Sequence, residues 1–216
     1  MAVESILSMR KLLVEGKNDF HVIKALCSRH SLPSLFTLEE PRSEGLGVES
    51  LVDSLPVQLK VSGLNALGVV VDADLDIQAR WDSIRAHLDV AGYGKLPKLP
   101  EPTGAVVTIP GKPKVGIWLM PNNHLPGTLE DFVAHLISED DLLRPEVANV
   151  LSRLESLGLN KYSKKDRQKA FIHTWLAWQR HPGQPIGQAI TAHVLQHDGP
   201  LAMSFVNWLN NLFVAT

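Results

Sequence analysis

The 216-residue sequence has a single cysteine, Cys27, and no long apolar run. One cysteine cannot form an intrachain disulfide, and it excludes a zinc site built on several thiolates. No stretch approaches the roughly 18 consecutive apolar residues of a transmembrane helix. With 21 basic and 23 acidic residues, the chain also lacks the excess positive charge of a nonspecific nucleic-acid coat. These absences predict a protein without a disulfide framework or a membrane span, and they leave room for a local basic groove.

The first residues, MAVESILSMRK, place Glu4 ahead of a short apolar run, which is not the layout of a secretory signal peptide. Together with the lone cysteine, this predicts a cytoplasmic location. The chain is 44% apolar and 20% charged, a composition typical of a globular protein. At this length folding buries roughly 70% of the surface that the unfolded chain exposes, so the core needs no disulfides or metal ions to be stable.

Strand-like and helix-like segments alternate through the first half of the sequence. We predict strands at 6–14, 35–38, 66–71, 105–109 and 115–120, the last two as a hairpin, and helices at 19–29, 48–59 and 78–91. The run from Ala66 to Val71 shows no alternation, which is typical of a strand buried on both faces of a parallel sheet. After Met120 we predict helices only, near 129–138, 144–157, 164–180, 186–196 and 200–213.

This order of elements predicts an α/β fold whose mostly parallel sheet is flanked by helices. We expect an α/β domain over residues 1–140 and an α-helical C-terminal extension over 141–216. The extension is expected to pack on the domain, so that the chain forms one compact unit.

Acidic residues stand where the predicted strands give way to helices. Glu15 follows the first strand, Asp72 and Asp74 follow the buried strand, and Glu130 stands at the start of a later helix. The carboxyl ends of parallel strands share one edge of a sheet, so Glu15 and Asp72 are expected to meet there. Asp72 and Asp74 would project the same way if the strand continues through Asp74. Crowded carboxylates repel one another unless a cation lies between them, and oxygen ligands select Mg²⁺, Mn²⁺ or Ca²⁺.

Several of these acids also have a purely structural interpretation. Asn18 or Asp19 can cap the first helix, and Asp76 is expected to cap another. Glu130 stands in a first helical turn, where the helix dipole favours any acid. Glu15, Asp72 and Asp74 lack such an explanation, because a strand exit favours no particular acid.

A basic run, Lys161, Lys164, Lys165, Arg167 and Lys169, stands in the helical half. It is either a solvated helix start or a local patch that tracks phosphates. Cations at a helix start are slightly unfavourable, which supports a functional role.

Three other patterns are expected to be structural. The histidines His193 and His197 would share a helical face, but they lack the glutamate of a zinc-protease motif. Cys27 lies on an apolar helix face and is expected to pack there. The tryptophans are expected in the core: Trp175, Trp178 and Trp208.

Two motifs resemble those of the Toprim domain. An apolar strand followed by Glu15-Gly16-x-x-Asp19 precedes a second apolar strand that ends in Asp72-Ala73-Asp74. The Toprim domain occurs in topoisomerases, bacterial primases, the ribonuclease that matures 5S ribosomal RNA, and OLD-family nucleases. Segments 116–123, 126–131 and 169–177 are similar to those of a small stand-alone Toprim-like family of undetermined function. The resemblance thus covers most of the chain.

The resemblance implies a Toprim-like sheet and a role for each acidic residue. Glu15 corresponds to the Toprim glutamate, a general acid/base or metal ligand, and Asp72 and Asp74 correspond to the metal-binding aspartates. Asp19 and Glu130 match acidic positions of OLD-like members, where they would complete a second metal site.

Three lysines are predicted to meet the phosphates of the substrate. Lys169 is assigned to the scissile phosphate as a catalytic residue. Lys17 and Lys165 are assigned to phosphate binding.

These assignments predict a phosphodiesterase or nuclease that depends on Mg²⁺ or Mn²⁺ and acts on DNA or RNA. The chain lacks the long additional domains of topoisomerases and primases, which leaves hydrolysis or binding. Two alternatives stay open. One is a non-catalytic Toprim-like module that binds a nucleic acid or nucleotide, within a defence system for example. The other is an enzyme that acts on a small phosphorylated metabolite. A homodimer or a protein partner is compatible with each.

Overall fold

The computed structural model describes residues 9–32, 36–40, 47–94 and 96–214. Within these ranges five strands form one sheet in the order β2-β1-β3-β5-β4. The strands are β1 (Met9–Val14), β2 (Thr37–Glu39), β3 (Leu64–Asp72), β4 (Ala105–Val107) and β5 (Lys114–Met120). The helices of the first half are α1 (Lys17–Arg29), α2 (Val48–Gln58) and α3 (Ile77–Val90). Later helices are α4 (Leu129–Ala134), α5 (Leu143–Ser156), α6 (Arg167–Ala177), α7 (Ile186–Thr191) and α8 (Pro200–Phe213), with a 3₁₀ turn at Lys164–Asp166.

The sheet is mostly parallel, which confirms the predicted α/β fold class. Strand β1 pairs in parallel with β2 and β3, and β3 pairs in parallel with β5. Only β4 runs antiparallel, against β5, as the predicted hairpin requires. Parallel neighbours end at a common edge, so the turns after β1 and β3 lie side by side.

Alternating residues of the strands feed two separate apolar cores. Leu13, Val69 and Ile117 pack on one face with residues of α2 and α3. Leu12 and Val70 pack on the other face with α1 and the helices that follow residue 128. Both faces are therefore covered, which explains the unbroken apolar sequence of β3.

The helices after residue 140 complete the second of these cores. Buried residues of α5, α6, α7 and α8 belong to the same cluster as β1 and α1. Helix α8 packs closely on the sheet, because Gly68 and Gly116 face each other in register and leave room for Leu212. A Cβ atom at Gly116 would approach a methyl carbon of Leu212 to 2.5 Å.

The structure corrects the prediction for the start of α1. Gly16 is the N-cap, and neither Asn18 nor Asp19 occupies that position. Asp19 lies in the first turn instead, with its side chain buried. Pro56 is accommodated inside α2, which continues to Gln58.

Other boundaries also differ from the sequence prediction. Residues 6–8 and Leu35, which we assigned to strands, lie outside the described residues. The helix predicted to reach residue 196 ends at Thr191, and His193 has a φ of 58°. His193 and His197 therefore do not share a helical face.

The predictions for the core side chains are confirmed with one exception. Cys27, Trp175 and Trp208 are buried, whereas Trp178 is 41% exposed. The indole of Trp208 donates to the carbonyl of Ala105 at 3.1 Å, which ties α8 to β4. In the part of the chain that the structure describes, no helix is long and apolar enough to span a membrane.

Candidate functional site

The acidic edge is the group of carboxylates at the ends of β1 and β3 and at the start of α4. It comprises Glu15, Asp19, Asp72 and Glu130. The backbone N–H of Asp72 donates to Oε2 of Glu15 at 3.2 Å. The backbone N–H of Leu129 donates to Oδ1 of Asp72 at 2.9 Å. The structure thus brings together Glu15 and Asp72, as expected from two parallel strands that end at one edge.

Asp19 enters the acidic edge from the first turn of α1. Its side chain is 8% exposed, and within the described ranges its Oδ1 atom has no hydrogen-bond partner. Gly16 makes this approach possible, since a Cβ atom there would lie 3.0 Å from Oδ2 of Asp19. A buried oxygen without a donor is costly, so this atom points to a missing partner.

Glu130 enters the acidic edge from the first turn of α4. It and its neighbour Asp131 have different structural roles. Asp131 completes a capping box, because it accepts from the backbone N–H of Thr128 at 2.8 Å. Glu130 is buried and accepts a hydrogen bond from the hydroxyl of Thr128 at 3.1 Å. The capping role therefore belongs to Asp131, and Glu130 faces the other carboxylates.

Burial and mutual repulsion raise the pKa values of these acids. The pKa of Asp72 is raised to about 9, first by burial and then by the charges of Asp19, Glu15, Glu130 and Asp74. The pKa of Asp19 is raised to about 7 by burial and by the charge of Glu15. Burial also raises the pKa of Glu15, against the hydrogen bond from the Asp72 backbone. At neutral pH the acidic edge therefore favours protons or another source of positive charge.

Asp74 does not continue the strand, so the condition under which it would project with Asp72 is not met. Strand β3 ends at Asp72, and Asp74 has a φ of 55°. Its backbone exchanges two hydrogen bonds with Gly127, at 2.9 and 2.8 Å. This turn breaks the alternation that a continuous strand would have kept.

The carboxylate of Asp74 is paired with Arg80, a residue that the sequence predictions did not include. Arg80 donates to Asp74 at 2.7 Å, to Glu49 at 2.9 Å and to the backbone carbonyl of Asp72 at 3.2 Å. Its side chain is 10% exposed. No motif marks this arginine, because its role depends on helix α3 starting directly beside the β3 exit.

A cavity of about 630 Å³ opens beside the β3 exit. Residues from three segments line it, together with Glu49; the segments are 73–83, 126–131 and 164–168. Of the lysines assigned to phosphate, Lys165 lines this cavity, and Lys164 lies next to it in the same lining. Lys169 is exposed on α6 and is not among the lining residues, and Lys17 is exposed at the first residue of α1. The basic run thus reaches the β3 exit through the residues before α6.

The chemistry of the acidic edge fits a hard cation, although its present geometry is not that of a metal site. Across the described residues no group of three or more His, Cys, Asp or Glu side chains is arranged to hold a metal ion. The donors are nevertheless carboxylate oxygens, the ligands that Mg²⁺ and Mn²⁺ prefer. The described hydrogen bonds use Oε2 of Glu15 and Oδ1 of Asp72, and Oδ1 of Asp19 has no partner.

Comparison with known proteins places nearly the whole chain in one family. The family model of DUF3226, described as a protein of unknown function, matches residues 9–214. No curated protein and no solved structure matches the chain.

Proposed function

We propose that this chain, which belongs to the DUF3226 family, is a metal-dependent phosphodiesterase that cleaves DNA or RNA at the acidic edge. Mg²⁺ or Mn²⁺ would be its cofactor. The resemblance of its two acidic motifs to the Toprim domain supports the same activity. We also propose a cytoplasmic location, which suits nucleic-acid substrates and the single buried thiol of Cys27.

One observation carries the proposal, namely that separate segments place four carboxylates together in a partly buried position. Asp72 is the centre, since its pKa is raised by the charges of Asp19, Glu15 and Glu130 as well as by burial. This repulsion opposes folding, and packing alone does not require it. A bound cation would turn the repulsion into attraction.

Glu15 and Asp72 would hold the principal metal ion, and Asp19 and Glu130 would hold a second. A metal ion in such a site activates water and neutralises charge on a phosphate. Glu15 would accept the proton of the attacking water, and burial, which raises its pKa, makes it a stronger base than an exposed carboxylate. The water oxygen bonds to phosphorus, the P–O bond to the leaving group breaks, and the leaving oxygen takes a proton from solvent.

The basic residues beside the site would offset the repulsion between an acidic edge and a polyanion. Lys164 and Lys165 line the adjoining cavity. They supply the local positive charge that a chain of net charge −2 lacks as a whole.

The test is cleavage of single- and double-stranded DNA and RNA, each with Mg²⁺, with Mn²⁺ and with EDTA. We expect metal-dependent cleavage that falls at least ~100-fold in the variant Glu15→Gln plus Asp72→Asn. These substitutions remove repelling charges, so the variant is expected to stay folded, which circular dichroism checks. The control is Asp140→Asn, an exposed aspartate in the turn before α5. Cleavage that persists unchanged in the double variant would refute the proposal.

The second candidate is a module that binds nucleic acid or a nucleotide without cleaving it. The observation that favours it is the lack, within the described ranges, of carboxylates already arranged around an ion. Salt-sensitive binding that is equal in EDTA and in Mn²⁺, with no turnover of any of the four substrates, would select this function.

A further inference from the structure

The cavity beside the β3 exit is lined by acidic and basic residues. The two groups differ in whether their side chains have hydrogen-bond or ion-pair partners within the fold. Arg80 pairs with Asp74 and Glu49. Asp76 accepts the backbone N–H of Ala79 at 2.9 Å, and Asp131 belongs to the capping box. Every acidic residue in the lining therefore has a partner within the fold.

The lysines of the same lining have no such partner. Lys164 and Lys165 are exposed, and neither side chain has an ion pair or a hydrogen bond with the residues that the structure describes. Arg167 differs from them, because it donates to Glu155 at 2.8 Å and is held against α5. The uncompensated charge of the cavity is therefore positive and is located just before α6. The positive end of the α6 dipole adds to it.

The lining of the same cavity also includes apolar residues. Ala73, Leu75, Ala79 and Pro126 contribute to its lining, and Leu75 is 83% exposed. An exposed leucine beside a concave surface offers a contact for a flat apolar ligand face. Ser83 and Gln168 add hydroxyl and amide groups that can bond to polar edges.

We propose that this cavity binds one nucleotide unit of the substrate, with its phosphate on Lys164 and Lys165 and its base against Leu75, Ala79 and Pro126. Inorganic phosphate alone would leave the apolar surface uncovered, and an apolar ligand would leave both lysines unused. The volume of about 630 Å³ lies within the range of roughly 300–1,000 Å³ found for small-molecule sites. The inference rests on the proposed function for the role of this nucleotide as part of a polynucleotide held beside the acidic edge.

The test measures binding in EDTA, where no metal-dependent cleavage takes place. Adenosine 5′-monophosphate, ribose 5-phosphate, adenosine and inorganic phosphate are titrated by calorimetry into the full chain. We expect the monophosphate to bind most tightly, and Lys164→Gln plus Lys165→Gln to weaken it about tenfold or more with a smaller salt dependence. Ala79→Phe fills the space beside the apolar residues. We expect it to weaken the binding of adenosine 5′-monophosphate and to leave the binding of ribose 5-phosphate unchanged.

The matched control is Lys60→Gln plus Lys98→Gln, two exposed lysines that do not line the cavity and lie outside the basic run. It changes the net charge equally and is expected to leave binding as in the wild type. The inference would be overturned if both double-lysine variants lost the same affinity for the monophosphate. It would also be overturned if the wild type bound no monophosphate at millimolar concentration.

The outcomes for the two proposals are separate. Metal-dependent cleavage without monophosphate binding in EDTA would overturn the nucleotide site and leave the proposed phosphodiesterase standing. Monophosphate binding that depends on Lys164 and Lys165, with no cleavage in Mg²⁺ or Mn²⁺, would support the nucleotide site and refute the phosphodiesterase.

Discussion

The carboxylate of Asp72 accepts the backbone N–H of Leu129 at 2.9 Å, and this bond joins the end of β3 to the start of α4. Within the described ranges this is the single hydrogen bond to the Asp72 side chain, which lies among the carboxylates of the acidic edge. The remaining electrostatic cost appears in the raised pKa of Asp72. The stability of the protein should therefore respond to pH, to charge removal and to cations.

Asp72→Asn is expected to stabilise the protein at pH 8 in EDTA. The pKa of Asp72 is about 9 in the fold and 3.8 in its ordinary state. Between these values the folded state binds more protons than the unfolded state, so the free energy of unfolding falls as pH rises. Asparagine removes that loss and keeps an oxygen for the Leu129 N–H. We expect the thermal midpoint to rise by about 3 °C or more at pH 8, with a much smaller difference at pH 4.

Asp140→Asn is the control for this measurement, since Asp140 is exposed and is not among the charges that raise the pKa of Asp72. Its thermal midpoint should follow that of the wild type at both pH values. A lower midpoint for Asp72→Asn at pH 8 would contradict the repulsion that we describe.

Mn²⁺ or Mg²⁺ is expected to raise the thermal midpoint of the wild type. A ligand that binds only the folded state at about 100 times its Kd contributes roughly 2.7 kcal/mol. The effect should be larger at pH 8 than at pH 5, because protons compete for the same oxygens. Differential scanning calorimetry with and without the ion measures it. Glu15→Gln plus Asp72→Asn should abolish the shift, and an undiminished shift would locate the ion elsewhere.

Gly116→Ala is expected to destabilise the protein by about 1–3 kcal/mol, because its Cβ atom overlaps Leu212 of α8. Chemical denaturation measures the loss. Leu212→Ala creates space at the same point, so the double variant should lose less than the sum of the two single losses.

Gly199→Ala serves as the control for the glycine substitution. Gly199 has a φ of −65°, and a Cβ atom added there would have no described neighbour within 4 Å. Gly199 is the N-cap of α8, so alanine there is expected to cost only the capping preference, about 0.5–1 kcal/mol. A similar loss in both glycine variants would show that the close approach of α8 is not the cause.

Arg80→Gln is expected to cost about 1–3 kcal/mol, since it leaves the backbone carbonyl of Asp72 and the carboxylates of Asp74 and Glu49 without their donor. Arg85→Gln, in the same helix, breaks one described ion pair, a partly exposed one with Asp82, and should cost no more than about 1 kcal/mol. Urea unfolding of the two variants compares them directly, and equal losses would contradict a special role for Arg80.

Much of the fold could be predicted from the sequence, because local apolar and turn patterns indicate which faces of the sheet are buried and where its strands end. The unbroken apolar run of β3 indicated burial on both sides, and the hairpin was marked by the proline- and glycine-rich turn between β4 and β5. The helix ends were less accurate where tertiary contacts determine them. The helix that begins at Ile186 stops at Thr191, and no strong stop signal follows that residue.

The candidate site was only partly predictable, for a similar reason. Glu15 and Asp72 could be paired in advance because strand direction alone brings them together. The left-handed backbone of Asp74 and the long reach of Arg80 depend on how the turn at Gly127 packs against β3. Such contacts involve residues far apart along the chain and have no local signature.

Helix α8 closes the fold in a way that bears on the order of events during synthesis. The backbone carbonyl of Phe213 accepts a hydrogen bond from Arg10 at 2.6 Å, so the first described strand is bonded to the end of the last helix. One face of the central strands has no cover at Gly68 and Gly116 until Leu212 has left the ribosome. A nascent chain that lacks α8 is therefore expected to expose the part of this sheet face around Gly68 and Gly116, and exposed apolar surface promotes aggregation during folding.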